Sequence, residues 1–234
     1  MAEGRVMFVT GASSGIGAAT VRRVVADGGR VVLAARREPE LAALVKELGG
    51  AARALAVRCD VTEWDQVTAA VDAALAHFGR IDVVFANAGF GADRGFTQDS
   101  VEHWRSMILT NVLGVALTIR ATLPHLLERG DGHYVLTSSI AGRRSLPGSL
   151  YSATKWAVTG MGQGLRGELR EIHENSAIRV TLIEPGGVDT PFFEQARPGR
   201  LEADDVARAV VYAIDQPAHV DVSEILIMPA AQRG

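Results

Sequence analysis

The chain has 234 residues, a net charge of −3, and 47% hydrophobic against 22% charged residues, globular proportions that exclude a disordered chain. No basic stripe marks a nucleic-acid binder, the lone Cys59 excludes an intrachain disulfide, and no apolar run approaches the ~18 residues of a membrane helix. Met1–Thr10 lacks the basic start and apolar core of a signal peptide, so a cytoplasmic protein without nucleic-acid or membrane partners is expected.

Apolar, β-branched runs predict strands at Val6–Thr10, Arg30–Ala35, Ala52–Arg58, Ile81–Ala86, Gly132–Ser138, Arg179–Glu184 and Glu224–Met228. Helical patterns fall between them, at Gly15–Asp27, Glu38–Leu48, Glu63–Phe78, Ser100–Glu128, Leu150–Glu174 and Ala203–Gln216. Strict alternation implies a parallel sheet of about seven strands with helices on both faces, an α/β fold of the doubly wound type. There is no internal repeat, low-complexity linker or shift in composition, so residues 1–234 are expected to form a single domain.

Thr10-Gly11-Ala12-Ser13-Ser14-Gly15-Ile16-Gly17 joins the first strand to the first helix. Glycine there permits the turn, lets backbone approach a pyrophosphate and lets the helix pack on the strand. The helix N-terminus adds free N–H groups and a partial positive charge. A tight turn without a ligand is the other reading of these residues. The second strand ends in Ala35-Arg36-Arg37, with no acid to meet a ribose 2′-hydroxyl. Two guanidinium groups suit a 2′-phosphate, which favours NADP(H) over NAD(H). A solvated charge pair is the alternative.

Further along, Asn87-Ala88-Gly89 follows the fourth strand, Asn111 lies in the long fourth helix, and Ser138-Ser139-Ile140-Ala141-Gly142 follows the fifth. Tyr151-Ser152-Ala153-Thr154-Lys155 opens the next helix, and Pro185-Gly186-Gly187-Val188-Asp189-Thr190 follows the sixth strand. With the glycine turn, these motifs resemble the short-chain dehydrogenase/reductase family over essentially the whole chain, in its Tyr-x3-Lys branch. The Val220–Gln232 stretch is similar to NADP-dependent 3-hydroxy acid and broad alcohol dehydrogenases. Ala86 stands where the family carries the first asparagine of Asn-Asn-Ala-Gly.

The resemblance implies a Rossmann-type fold and an NADP(H)-dependent oxidoreductase that interconverts a carbonyl and an alcohol on a small or medium substrate. It implies Tyr151 as general acid/base, Lys155 beside it, Ser139 on the substrate carbonyl, and Asn111 organising a proton path to the lysine. A nearby ammonium is expected to lower the phenol's pKa. Ser139 is twelve residues before Tyr151, where the family more often has thirteen, which leaves Ser138 as the alternative. Cofactor contacts are implied at Gly11, Ser13, Ser14, Gly15, Ile16, Gly17, Arg36, Arg37, Asp60, Val61, Asn87, Ala88, Gly89, Tyr151, Lys155, Pro185, Gly186, Val188 and Thr190. Asp60 also reads as a helix-start acid near Thr62.

The six histidines form no cluster in sequence, so no metal site is expected. Phe90, Ile140, Ala141, Leu146, Phe192 and Phe193 are expected to wall the substrate pocket. Arg143 and Arg144 are placed near its rim, as carboxylate-attracting groups or as solvated ones. Trp64, Trp104 and Trp156 read as packing residues. The long fourth and fifth predicted helices, with Leu109, Val112, Leu113, Ala116 and Leu117 on one and Gly160, Gly162, Gly164 and Gly167 on the other, suggest a homodimer or homotetramer; burial within one chain is the alternative. An NADP-binding regulator and an epimerase remain open as other functions of the same fold.

Overall fold

Successive side chains of the central strands point to opposite sides and feed two separate cores, which is why these strands read as continuous apolar runs. Val6, Phe8, Val84, Ala86, Tyr134 and Leu136 enter one core; Met7, Val9, Val83, Phe85 and Val135 enter the other. The computed structural model describes residues 4–175, 177–190 and 199–231.

The strands are β1 (Val6–Thr10), β2 (Arg30–Ala35), β3 (Ala54–Arg58), β4 (Val83–Ala86), β5 (Gly132–Thr137), β6 (Ile178–Pro185), β7 (Val188–Asp189), β8 (Leu201–Glu202) and β9 (Glu224–Ile227). Seven of them form one parallel sheet in the order β3-β2-β1-β4-β5-β6-β9, while β7 and β8 pair separately. The expected doubly wound Rossmann-type sheet is what the structure contains. Its order reverses between β1 and β4, and a cleft opens beyond the carboxyl ends there. The small β7–β8 pair was not expected, since two-residue strands leave no periodicity to read.

Helices α1 (Gly15–Ala26), α2 (Glu38–Glu47) and α7 (Ala203–Ile214) cover one face. The other is covered by α3 (Trp64–Phe78), by α5 (Gly114–Arg129) and by α6 (Leu150–Glu171). Helix α4 (Val101–Ile108) runs into α5 through a π-helical turn, Leu109–Leu113. The single helix expected over Ser100–Glu128 is therefore interrupted at Asn111.

Against expectation, the continuous segment Val101–Arg129 is long and apolar enough, by length and composition, to cross a bilayer. Its inner face nevertheless packs into the fold, with Met107, Asn111, Val115, Thr118, Thr122 and Leu126 buried. Trp64 and Trp156 are not interior packing residues: both are exposed, and Trp64 carries Arg120 over its ring at 5.5 Å.

Candidate cofactor and catalytic site

The cleft measures about 1300 Å³ and runs from the glycine turn, past the ends of β1, β4 and β5, to the Phe90 and Leu146 side. Its beginning is built on close backbone approach. Gly11 has φ +66°, and a Cβ there would sit 2.8 Å from the Ala88 Cα, so no other residue fits without moving backbone. Ser14 takes the N-cap position of α1 without a side-chain cap, and no acid follows in the first turn. Those N–H groups and the positive helix end suit an anion.

The cleft brings together every residue expected to bind cofactor or substrate carbonyl except Gly17, and Asn111 is not in its lining. Gly17 lies behind it, where a Cβ would meet the Gly11 carbonyl at 2.5 Å, so its glycine serves the packing of α1 on the turn. Asn111 is fully buried behind Gly89. Its Oδ1 accepts from the Phe90 N–H at 3.0 Å, and its Nδ2 donates to the Phe90 carbonyl at 2.8 Å and to Thr154 Oγ1 at 3.1 Å. The amide thus holds the backbone after Asn87-Ala88-Gly89 in place. Thr10 holds the start of that segment, its hydroxyl accepting from the N–H groups of Asn87 (3.0 Å) and Ala88 (3.1 Å).

At the end of β2, Arg37 turns back to the glycine turn. Its Nη2 donates to Ser14 Oγ at 2.7 Å and to Ser13 Oγ at 2.9 Å. Arg36 instead points toward Asp60, with its Nη1 3.8 Å from the carboxylate, and its side chain is 63% exposed. Asp60 also accepts from the N–H (3.0 Å) and hydroxyl (2.9 Å) of Thr62, so it starts the segment before α3 as well as lining the cleft.

Tyr151 and Lys155 share one face of α6, as their four-residue spacing requires. Lys155 is 4% exposed; its Nζ donates to the Thr137 carbonyl at 2.8 Å and lies 5.6 Å from the Tyr151 ring centroid. Burial pulls the lysine down to about 8. The same burial pushes the Tyr151 phenol up to about 12, opposed by its hydrogen bond with Ser139. The expected lowering of the phenol by the ammonium is not among the causes of this shift: burial raises the phenol, and the hydrogen bond that opposes it comes from Ser139.

The two serines divide. Ser138 is 1% exposed and directs its hydroxyl to the Lys155 carbonyl (3.1 Å) and Thr159 Oγ1 (2.8 Å). Ser139 has its hydroxyl beside Tyr151; it accepts from the Ala141 N–H at 3.1 Å and donates to the Pro185 carbonyl at 3.3 Å.

Of the expected pocket walls, Phe90, Ile140 and Leu146 line the cleft, whereas Ala141 is buried behind it. Phe192 and Phe193 lie outside the described residues. Arg143 is absent from the cleft lining and stays exposed, while its Nε lies 2.7 Å from the buried Glu184 carboxylate. The sequence reading also missed His103, Arg94 and Arg200 as lining residues. His103 was legible in part, since its place four residues after Asp99 sets up the 2.7 Å pair observed between them. It stacks on Phe90 at 5.2 Å. Cys59 is buried, and burial lifts its thiol to about 11, which leaves it unreactive. Among the described residues, no three His, Cys, Asp or Glu side chains converge on a point that could hold a metal.

The family model for short chain dehydrogenases matches residues 5–201. An uncharacterized oxidoreductase of Staphylococcus epidermidis is 38% identical over 229 residues, 96% of this chain and 97% of that one. An alcohol dehydrogenase from the archaeon Thermococcus sibiricus, solved with 5-hydroxy-NADP, superposes with a TM-score of 0.87 at 32% identity, covering 98% of each chain. A 3-ketoacyl-(acyl-carrier-protein) reductase from Brucella melitensis, solved with NADH, gives 0.87 at 29% identity, covering 97% of this chain and 98% of that one.

Proposed function

This chain belongs to the short-chain dehydrogenase family, and we propose that within it the protein is an NADP(H)-dependent reductase of small or medium carbonyl compounds. The observation that carries the reading is the Tyr151 phenol paired with the Ser139 hydroxyl, in the same cleft that begins at the glycine turn. The bound cofactor would supply the hydride.

The chain's own residues supply the rest. Gly11, Ser13, Ser14, Gly15 and Ile16 would receive the pyrophosphate end, with Gly17 behind them. Arg36 and Arg37, which line the cleft with Ser13, would clasp a 2′-phosphate; a carboxylate there would repel it. Asp60 and Val61 would border the adenine, and Asn87, Ala88 and Gly89 the adjoining ribose. Pro185, Gly186, Val188 and Thr190 would form the wall opposite Tyr151 and Lys155.

Ser139 would hydrogen-bond the substrate oxygen and stabilise the charge that develops there. Tyr151 would give its proton to the same oxygen during reduction. Its raised pKa suits that role, since the phenol is protonated throughout the neutral range. Lys155 would hold a cofactor hydroxyl, and Asn111 would keep Phe90 and Gly89 in register behind it.

The exposed Ile108, Leu109 and Leu113, with Trp156 on α6, favour assembly of the chain into a homodimer or homotetramer. A cytoplasmic location and a single functional domain are part of the same reading.

Paired titrations with NADPH and NADH, followed by a panel of aldehydes and ketones, test it. Tighter NADPH binding with turnover of a panel member is the expected result. Equal binding of both cofactors would remove the 2′-phosphate argument, and binding without any turnover would favour an NADP-binding regulator.

A further inference from the structure

Glu184 is a buried charge that the reaction as derived leaves unused. It lies in β6 directly before Pro185 and has no exposed surface. Arg143 meets it, with Nε 2.7 Å from both carboxylate oxygens, and the same guanidinium reaches Glu224 in β9. Burial pushes the Glu184 carboxyl up and the guanidinium opposes that shift. The pair joins a buried carboxylate to a guanidinium that is 35% exposed, and the two-oxygen contact of the guanidinium fixes direction as well as charge.

What it directs is the turn that carries Ser139. The Gly142 N–H donates to the Ser139 carbonyl at 2.9 Å, and the Arg143 N–H to the Ile140 carbonyl at 3.0 Å, so residues 139–143 form one hydrogen-bonded turn. Gly142 lies flat on α6, where a Cβ would stand 2.7 Å from the Lys155 carbonyl. On the far side, Ser139 reaches the carbonyl of Pro185, one residue beyond Glu184. The ion pair therefore spans the same two walls as the Ser139 hydroxyl.

We propose that Arg143 is a positioning residue: by gripping Glu184 it holds the Ser139 turn against the end of β6, and so keeps the Ser139 hydroxyl beside the Tyr151 phenol. The proposal rests on the reductase reading above for its effect on rate.

Arg143→Met alone strands a buried carboxylate and risks a misfolded chain. The informative variant combines Arg143→Met with Glu184→Gln, which removes the buried charge of β6 and leaves only the part-exposed carboxylate of Glu224. Its expected phenotype is a near-native melting temperature, an NADPH Kd within about twofold of wild type and a kcat lower by about tenfold or more, because a small misplacement of a reacting group costs that much. Arg143→Lys, which keeps the charge and loses the fork, should fall between the two. Amide exchange provides a readout that needs no turnover: the amides at positions 141, 142 and 143 should exchange faster in the double variant at unchanged global stability.

A folded double variant with wild-type kcat overturns the proposal. If the double variant does not fold, Arg143→Lys with wild-type kcat does so. Should wild type reduce no carbonyl, the reductase reading fails and exchange alone decides: unchanged protection at residues 141–143 then overturns the clamp.

Discussion

Lys155 carries opposite consequences for rate and for stability. Its folded pKa of about 8 lies below the usual 10.5, so between those values the unfolded chain binds more protons and stability rises with pH. Below about 8 the full penalty of the buried ammonium is present. Lys155→Met should therefore melt above wild type at pH 7, and that advantage should shrink as pH climbs from 8 to 10.5. Thermal melts of the two chains across this range would check it; a constant gap would mean that Lys155 is not desolvated as the structure indicates. For the rate, the ammonium is present below about 8 while Tyr151, raised to about 12, stays protonated. Reduction, measured as kcat/KM, should be flat below pH 8 and fall above it. Arg36 belongs to this scale too. Its loss should weaken NADPH by roughly 10-fold or more, the usual worth of a charge-assisted hydrogen bond, and change NADH little. Fluorescence titration of Arg36→Ala with both cofactors would measure the difference, and equal losses would sink the assignment.

Among the elements, the helices were legible from periodic apolar faces and the strands from continuous apolar, β-branched runs, and strand–helix junctions mark where glycine, asparagine and tyrosine motifs must stand. What a pattern could not give was direction. Neighbouring Ser138 and Ser139 are identical in type, yet only the fold turns one to α6 and the other to Tyr151. Arg143 reads as a surface charge because its partner Glu184 is 41 residues away. The π-helical turn at Leu109–Leu113 was not read from the sequence either; it contains Asn111, whose amide is bonded to the distant Phe90 backbone. The four glycines of α6 also divide: a Cβ at Gly162 would strike Leu182 at 2.8 Å, while Gly160, Gly164 and Gly167 face open space. That outward stripe, with exposed Leu113 and Trp156 nearby in the α4–α6 layer, is the basis for expecting assembly. Leu113→Glu combined with Trp156→Glu should yield a monomer of unchanged helical content by light scattering and circular dichroism. An unaltered mass would place the interface elsewhere.

At the scale of the molecule, the reversal of strand order between β1 and β4 opens a crevice at the carboxyl ends, and the glycine turn, Asn87 segment, Ser139 turn and Pro185 loop all border it. The sheet fixes their separation; the helices hold Tyr151 and Lys155 over it. Cofactor and carbonyl would thus meet at a place set by topology, and chemistry by a phenol kept protonated. The measurement that tests this most directly compares wild type with Tyr151→Phe, following NADPH oxidation by its nicotinamide absorbance with a carbonyl that wild type reduces, alongside NADPH binding to each chain. The account predicts a kcat lower by roughly 10² or more with nearly unchanged NADPH affinity, the loss of one general acid. Wild-type turnover by the phenylalanine variant would contradict it.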